Sequence, residues 1–245
     1  MSPNATLATA LRVLLQLRRD PRTVALLLVV PTGLLLILDQ LFTSNDTVFQ
    51  RVGPPMLGLF PLITMFLVTS ITMLRERTSG TLEQILTLPI AKVDILFGYG
   101  IAFALIASVQ AIVVSLVGFG LLDLQAAHST ALVVVLAIAN AVLGMAFGLF
   151  VSAFARTEFQ AVQFLPAFVF PQLLLCGLFT PRSQMADWLR WISDVLPVTY
   201  AYDALARAAS PGALEARFAA DLAVTLGATL LALILGAATL RRRTP

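Results

Sequence analysis

The sequence predicts an all-α integral membrane protein with six transmembrane helices, and three observations carry that prediction. The 245 residues are 59% hydrophobic and only 12% charged, with a mean hydropathy of +0.92, whereas a soluble domain is roughly half apolar and about a quarter charged. Six apolar segments reach the roughly 20 residues that a helix needs to cross about 30 Å of hydrocarbon. Lysine and arginine favour one side, with eleven in the two termini and the alternate connections that share that side and five in the others, the bias that the positive-inside rule describes. The formal net charge is +3. No basic face is interleaved with aromatics, so nucleic acid is not a predicted partner; membrane lipids are.

Residues 1–22 form the first unit, an N-terminal cytoplasmic interfacial helix. Over 5–19, Leu7, Leu11, Leu14 and Leu15 share one helical face, and Arg12, Gln16 and Arg19 share another. That pattern suits a helix lying in the headgroup layer; a plain cytosolic lead-in with topology charges also fits. The transmembrane domain follows over 23–243. Its spans are about Thr23–Phe42, Pro55–Leu74, Val93–Leu122, Ala131–Ala153, Ala161–Thr180 and Leu222–Leu240. The third is overlong, which implies tilt or an interfacial turn. The fifth holds Pro166, Pro171 and Gly177, so it is expected to be broken or partly re-entrant. Such backbone survives at membrane depth only inside protein or along a cavity.

Between the fifth and sixth spans, Trp188, Trp191, Ile192 and Val195 recur at helical spacing on one face. An external interfacial helix anchored by Trp188 and Trp191 is expected there. Pro197 ends or kinks it, and Ser210-Pro211-Gly212 marks a turn. An even number of spans puts both termini on one side. Eleven of the sixteen Lys and Arg residues fall on that side, which the positive-inside rule makes cytoplasmic.

Several function classes are disfavoured. One cysteine, Cys176, and one histidine, His128, cannot build an intrachain disulfide or a Cys/His metal site; Cys176 reads as a small packing residue. Zinc-hydrolase and nucleophile-elbow motifs are absent, and no carboxylate pair shares a span, so no catalytic residue is assigned. The centres of the spans hold no ionisable residue. A charge kept there costs roughly 2.5–3.5 kcal/mol on insertion scales and usually marks an ion pathway, so ion coupling is disfavoured. An ion-coupled or stand-alone transporter and a non-transporting anchor or assembly subunit remain the alternatives. Gln110, Asn140, Gln163 and Gln172 either bond to neighbouring helices or line a route for cargo. Gly144 and Gly148, four apart, allow close helix packing, either within the chain or between two copies.

The most informative stretch runs from Met73 to Pro89, on the cytoplasmic side after the second span. Gly80 permits a sharp reversal. Thr81 and Gln84 are spaced for a capping box, and Glu83 sits in the first turn. Leu82, Ile85 and Leu86 then share an apolar face. This short helix either lies in the headgroups or docks into a groove on a cytosolic partner.

The run Arg-Glu-Arg-Thr-Ser-Gly-Thr-Leu-Glu-Gln over 75–84 resembles the first cytoplasmic loop of ABC-2 type transporter permeases. The stretches Leu175–Arg182 and Trp188–Pro197 are similar to that family's external helices and re-entrant turn. The nearest likeness is to actinobacterial multidrug export permeases of the daunorubicin-resistance type. The resemblance implies that Glu76, Arg77, Gly80, Thr81, Leu82, Glu83, Ile85 and Leu86 form or orient a coupling helix against an ATP-binding subunit. No G-x-x-x-x-G-K-[ST] motif occurs in the chain. The resemblance therefore implies that ATP and Mg belong to a separate polypeptide. It also implies a second permease subunit, a bacterial cell membrane location and outward transport. A path without fixed charges suits a lipophilic drug or lipid-like cargo.

Overall fold

The computed structural model describes residues 3–81, 92–212 and 216–239. They form helices and turns, with no strand among the described residues. The α-helices are α1 (Pro3–Arg18), α2 (Pro21–Leu41), α3 (Asp46–Thr78), α4 (Lys92–Gly120) and α5 (Thr130–Val151). There follow α6 (Glu158–Phe164), a π turn (Leu165–Val169), α7 (Phe170–Leu175), a 3-10 turn (Arg182–Gln184), α8 (Asp187–Val195), α9 (Pro197–Ala209) and α10 (Ala216–Ala238). Five of these are long and apolar enough to cross a membrane: α2, α3, α4 from Phe97 onward, α5 and α10.

Sequence and structure differ at several helix ends, for one physical reason. Apolar composition marks where lipid touches a helix; capping marks where the helix stops. The second span, expected from Pro55, belongs to a helix that starts nine residues earlier at Asp46. Asn45 caps it by accepting from the Val48 N–H, and Asp46 occupies its first turn. Pro54, Pro55 and Pro61 all lie inside it. The last helix likewise starts at Ala216, ahead of the expected Leu222. The stretch expected as a fifth span is three consecutive pieces, α6, the π turn and α7, ending at Leu175. Pro166 supplies no N–H inside it, and the Phe170 N–H reaches back five residues to Leu165 O.

The bundle is centred on α3 and α5. In each, 67% of the apolar window is buried, against 17% in α2 and 22% in α10, which sit outside them. The two central helices meet at Gly144 and Gly148. A Cβ at Gly144 would lie 2.1 Å from Leu62 O, and one at Gly148 would lie 2.5 Å from Phe66 O. This pair of glycines therefore packs helices within the chain, not against a second copy. Phe168 of the π turn stacks on Phe66 at 6.2 Å and meets Phe147 edge-on at 5.2 Å, fastening the turn to both central helices.

Helix α1 packs along the start of α4. It buries Thr6, Thr9, Ala10 and Val13, while Leu7, Leu11 and Leu15 stay exposed. The leucine face therefore points outward, and a face of smaller residues makes the tertiary contact. At the opposite end of the bundle, α8 exposes Trp188, Trp191, Ile192 and Val195 together. Its Ser193 hydroxyl donates to Leu175 O at 2.8 Å, holding the other face down. Pro197 ends α8 and opens α9, where its fixed φ and missing N–H are tolerated.

Candidate functional site

The last turn of α3 is the junction from which the Gly80 loop departs. Three consecutive residues there point to three different sides, because a helix turns about 100° per residue. Arg75 reaches α6: its Nε donates to Glu158 Oε1 at 2.6 Å and its Nη2 to Oε2 at 3.0 Å. Glu76 turns inward between α1 and α4 and is only 4% exposed. Arg77 turns elsewhere, and its Nε is buried with no hydrogen-bond partner among the described residues.

The Glu76 carboxylate is met by two groups. Arg12 of α1 donates through Nη1 to Oε1 at 3.5 Å and through Nη2 to Oε2 at 3.2 Å. Tyr99 of α4 donates its hydroxyl to Oε2 at 2.9 Å. Arg12 Nη2 also donates to the Tyr99 oxygen, and the guanidinium sits 5.5 Å from the Tyr99 ring centre. A buried carboxylate needs this much, since an unpaired charge there is costly. Helices α1 and α4 approach closely because α4 carries Gly98 at their crossing. A Cβ on Gly98 would lie 2.5 Å from Thr9 Cβ and 2.9 Å from Thr6 O.

Beyond this junction α3 ends in an orderly way. The Ser79 N–H donates to Arg75 O at 2.9 Å, and Gly80 follows at φ +75°, the left-handed position that glycine favours after a helix. The Ser79 and Thr81 hydroxyls lie 2.9 Å apart. Leu82, Glu83, Ile85 and Leu86, expected to continue as a coupling helix, lie outside the described residues.

The polar residues expected in or near the spans separate into two groups. Gln110, Asn140 and Gln172 are buried and bonded to backbone carbonyls. Gln110 Nε2 donates to Leu27 O and to Thr64 Oγ1, both at 2.6 Å. Asn140 Nδ2 donates to Ala201 O at 3.2 Å, and Gln172 Nε2 to Phe168 O at 3.0 Å. Gln163 is exposed, lining a shallow depression with Arg156, Gln160 and Phe164. Cys176 is fully buried and hydrogen-bonded to Leu173 O at 3.2 Å.

The other end of the bundle has its own set of polar ties. Arg182 pairs with Asp203, at 3.1 Å, and with Asp194. Arg207 pairs with Asp221 at 3.0 Å. Burial pushes the Asp203 carboxyl above its usual range, and Arg182 opposes that shift. His128 faces two carbonyls, Ala208 O at 3.2 Å and Gly212 O at 2.6 Å. Arginine, aspartate and histidine therefore clamp α8 and α9 onto this face. Tyr99 and Glu158 were not named from the sequence, and Arg12 and Arg75 were read there for helix face, topology and family likeness, not as ion-pair partners. Their partners lie 23 to 83 residues away, and no local spacing signals such a pair.

The ABC-2 type transporter family matches residues 4–208, an interval that includes α1, the Gly80 loop, the broken segment and most of α9. The chain belongs to the ABC-2 type transporter family. Among curated relatives, a probable multidrug ABC transporter permease of Escherichia coli, YbhR, is 29% identical over 173 residues, or 71% of this chain and 47% of that protein. ABC transporter G family member 20 of Dictyostelium discoideum is 26% identical over 161 residues, covering 66% of this chain and 22% of that protein. The linearmycin resistance permease protein LnrN of Bacillus subtilis is 25% identical over 171 residues, covering 69% and 43%. This ABC-2 chain thus matches less than half of each relative's own length.

Proposed function

We propose that this chain is the membrane permease subunit of an ATP-driven exporter. It works with a separate ATP-binding subunit and a second permease subunit in a bacterial cell membrane, with both termini cytoplasmic. The carrying observation is the junction under the Gly80 loop. Glu76 joins α3 to α1 and α4, and Arg75 joins the same turn to α6. A force applied to residues 80–89 by a docked ATPase would reach three neighbouring elements through one helical turn. The segment of α6, the π turn and α7 is the fifth pass in chain order and brings the number of passes to six. Its 18 residues rise about 27 Å, close to the hydrocarbon thickness.

In this reading Leu82, Ile85 and Leu86 form the face that the ATPase buries, while Gly80 and Thr81 set the angle of the loop and Glu83 favours its first helical turn. ATP and Mg sit on the partner. The apolar, broken α6–α7 segment exposes Phe159, Phe170 and Leu174, which suits a lipophilic drug or lipid-like cargo. Gln163 is a polar residue exposed on that surface.

The test is copurification from detergent-solubilised membranes, comparing the intact chain with a Gly80→Pro, Leu82→Asp double variant. An ATPase retained by the first and lost from the second, at equal insertion and folding, supports the reading. Absence of any ATPase from both leaves the stand-alone transporter or anchor as the better account. Stimulation of the complex by a charged glycan alone, never by lipophilic compounds, would remove the cargo assignment.

A further inference from the structure

Between α1, α2 and α4 lies a groove of about 190 Å³ that the coupling site does not use. Leu14 and Leu17 of α1, Val24, Leu27 and Leu28 of α2, and Leu105, Ile106 and Val109 of α4 form its walls, with Gln110 the one polar residue among them. Its Nε2 is taken by Leu27 O and Thr64 Oγ1, while its Oε1 is buried with no hydrogen-bond partner among the described residues. The groove lies in an exposed apolar face: Leu26 and Val29 on α2 and Leu105 and Val109 on α4 are all more than half exposed.

The turn beside one end of the groove is basic; its arginines stand outside the groove walls, and Arg19 also borders a depression with Leu11, Arg12 and Leu15. Leu17 and Val24, which line the groove, flank the turn that joins α1 to α2, and that turn carries Arg18, Arg19 and Arg22. All three arginines are exposed, and none forms an ion pair among the described residues. The one acid in the turn, Asp20, is occupied in capping α2, accepting from the Thr23 N–H and hydroxyl. An apolar slot opening beside three unpaired cations matches an amphiphile with an acyl chain and an anionic head.

We propose that this groove binds an anionic phospholipid of the cytoplasmic leaflet, its acyl chain against α1, α2 and α4 and its phosphate on Arg18, Arg19 and Arg22. The leaflet follows from the proposed orientation; the site itself does not depend on the ATPase. Arginine suits the role because its planar fork pairs with phosphate while its stem lies along apolar surface. Each cation near an anionic surface adds attraction that salt weakens. A lipid seated there would pack against the helix that supplies Arg12, tying the coupling junction to membrane composition.

The experiment uses the purified full chain in nanodiscs of equimolar phosphatidylglycerol and phosphatidylcholine with matched acyl chains. Lipid retained by the released protein is counted by native mass spectrometry. Wild type should retain phosphatidylglycerol over phosphatidylcholine by about tenfold or more, and this preference should fall severalfold in high salt. The triple variant Arg18→Gln, Arg19→Gln, Arg22→Gln should lose the preference, and the matching triple lysine variant should keep most of it. Leu105→Trp, which fills the groove and leaves the charges alone, should lower retention of both lipids. Equal retention of the two lipids by wild type overturns the proposal. So does retention that neither the glutamine variant nor Leu105→Trp alters, or a cross-linked second copy occupying the groove in place of lipid. None of these readouts involves an ATPase, so failure here is distinct from failure of the permease reading.

Discussion

Replacing Gln110 with leucine asks how α2 keeps a proline in its interior. Pro31 has no N–H, so the carbonyl four residues earlier, Leu27 O, lacks its helical donor. Gln110 Nε2 supplies the missing bond from the neighbouring helix at 2.6 Å and also reaches Thr64 Oγ1 at 2.6 Å. The side chain is 1% exposed, and hydrocarbon offers no water to take its place. Leaving a buried acceptor unpaired costs about 1–3 kcal/mol. Measured interhelical bonds within membranes average about 0.6 and reach about 1.7 kcal/mol, so we expect a loss of about 1–2 kcal/mol.

The second arm is Pro31→Ala, which gives α2 its own donor for Leu27 O. In that background Gln110→Leu should cost only the Thr64 bond, about half a kcal/mol. The coupling energy between positions 31 and 110 should therefore be about 1 kcal/mol. Equilibrium unfolding of the four proteins in mixed micelles, titrated with a denaturing detergent, reads it directly. Equal costs of Gln110→Leu in the two backgrounds would refute the assignment of this amide as the replacement donor.

Four further outcomes are expected. Arg12→Met should lower the melting temperature by stranding the Glu76 carboxylate, and adding Glu76→Gln should recover part of the loss; no recovery would mean that Arg12 acts through packing alone. Gly144→Ala should cost about 3 kcal/mol or prevent folding, because Leu62 O lies where the methyl must go. Gly227→Ala on α10, where nothing lies within 4 Å, should be neutral or stabilising in the same melting assay. Hydrogen bonds from the Thr23 hydroxyl and N–H hold the Asp20 carboxyl below its usual pKa. Its capping is therefore complete above about pH 3.9 and is lost as pH falls through the lower folded value. Asp20→Ala should cost about 1 kcal/mol near neutrality, and in a melting series carried downward from pH 6 the gap between wild type and variant should begin to narrow only below about pH 3.9.

The membrane helices were legible because lipid imposes a simple condition, a continuous apolar run of sufficient length, that single residues report. Prolines at 166 and 171 foretold the interruption between α6 and α7 for the same local reason: each removes a donor. Helix ends were less legible, since the polar turns of α3 before Pro55 carry no hydropathy signal. The face of α1 illustrates a different limit. Its leucines announced an amphipathic helix, yet Thr6, Thr9, Ala10 and Val13 make the contact with α4, because small side chains allow the close approach that Gly98 completes. Nothing in the spacing of Gln110 linked it to Pro31.

By itself, then, the sequence determined the all-helical class, the rough placement of the apolar helices, the basic bias between the two ends and the glycine that follows α3 at Gly80. These are properties of a residue and its near neighbours in the chain. Only the tertiary structure decided that Glu76 meets Arg12 and Tyr99, that Gln110 completes α2, and that Gly144 packs within the chain. Those pairings join residues distant in sequence through side-chain reach and helix crossing, and both exist only once the helices have been brought together.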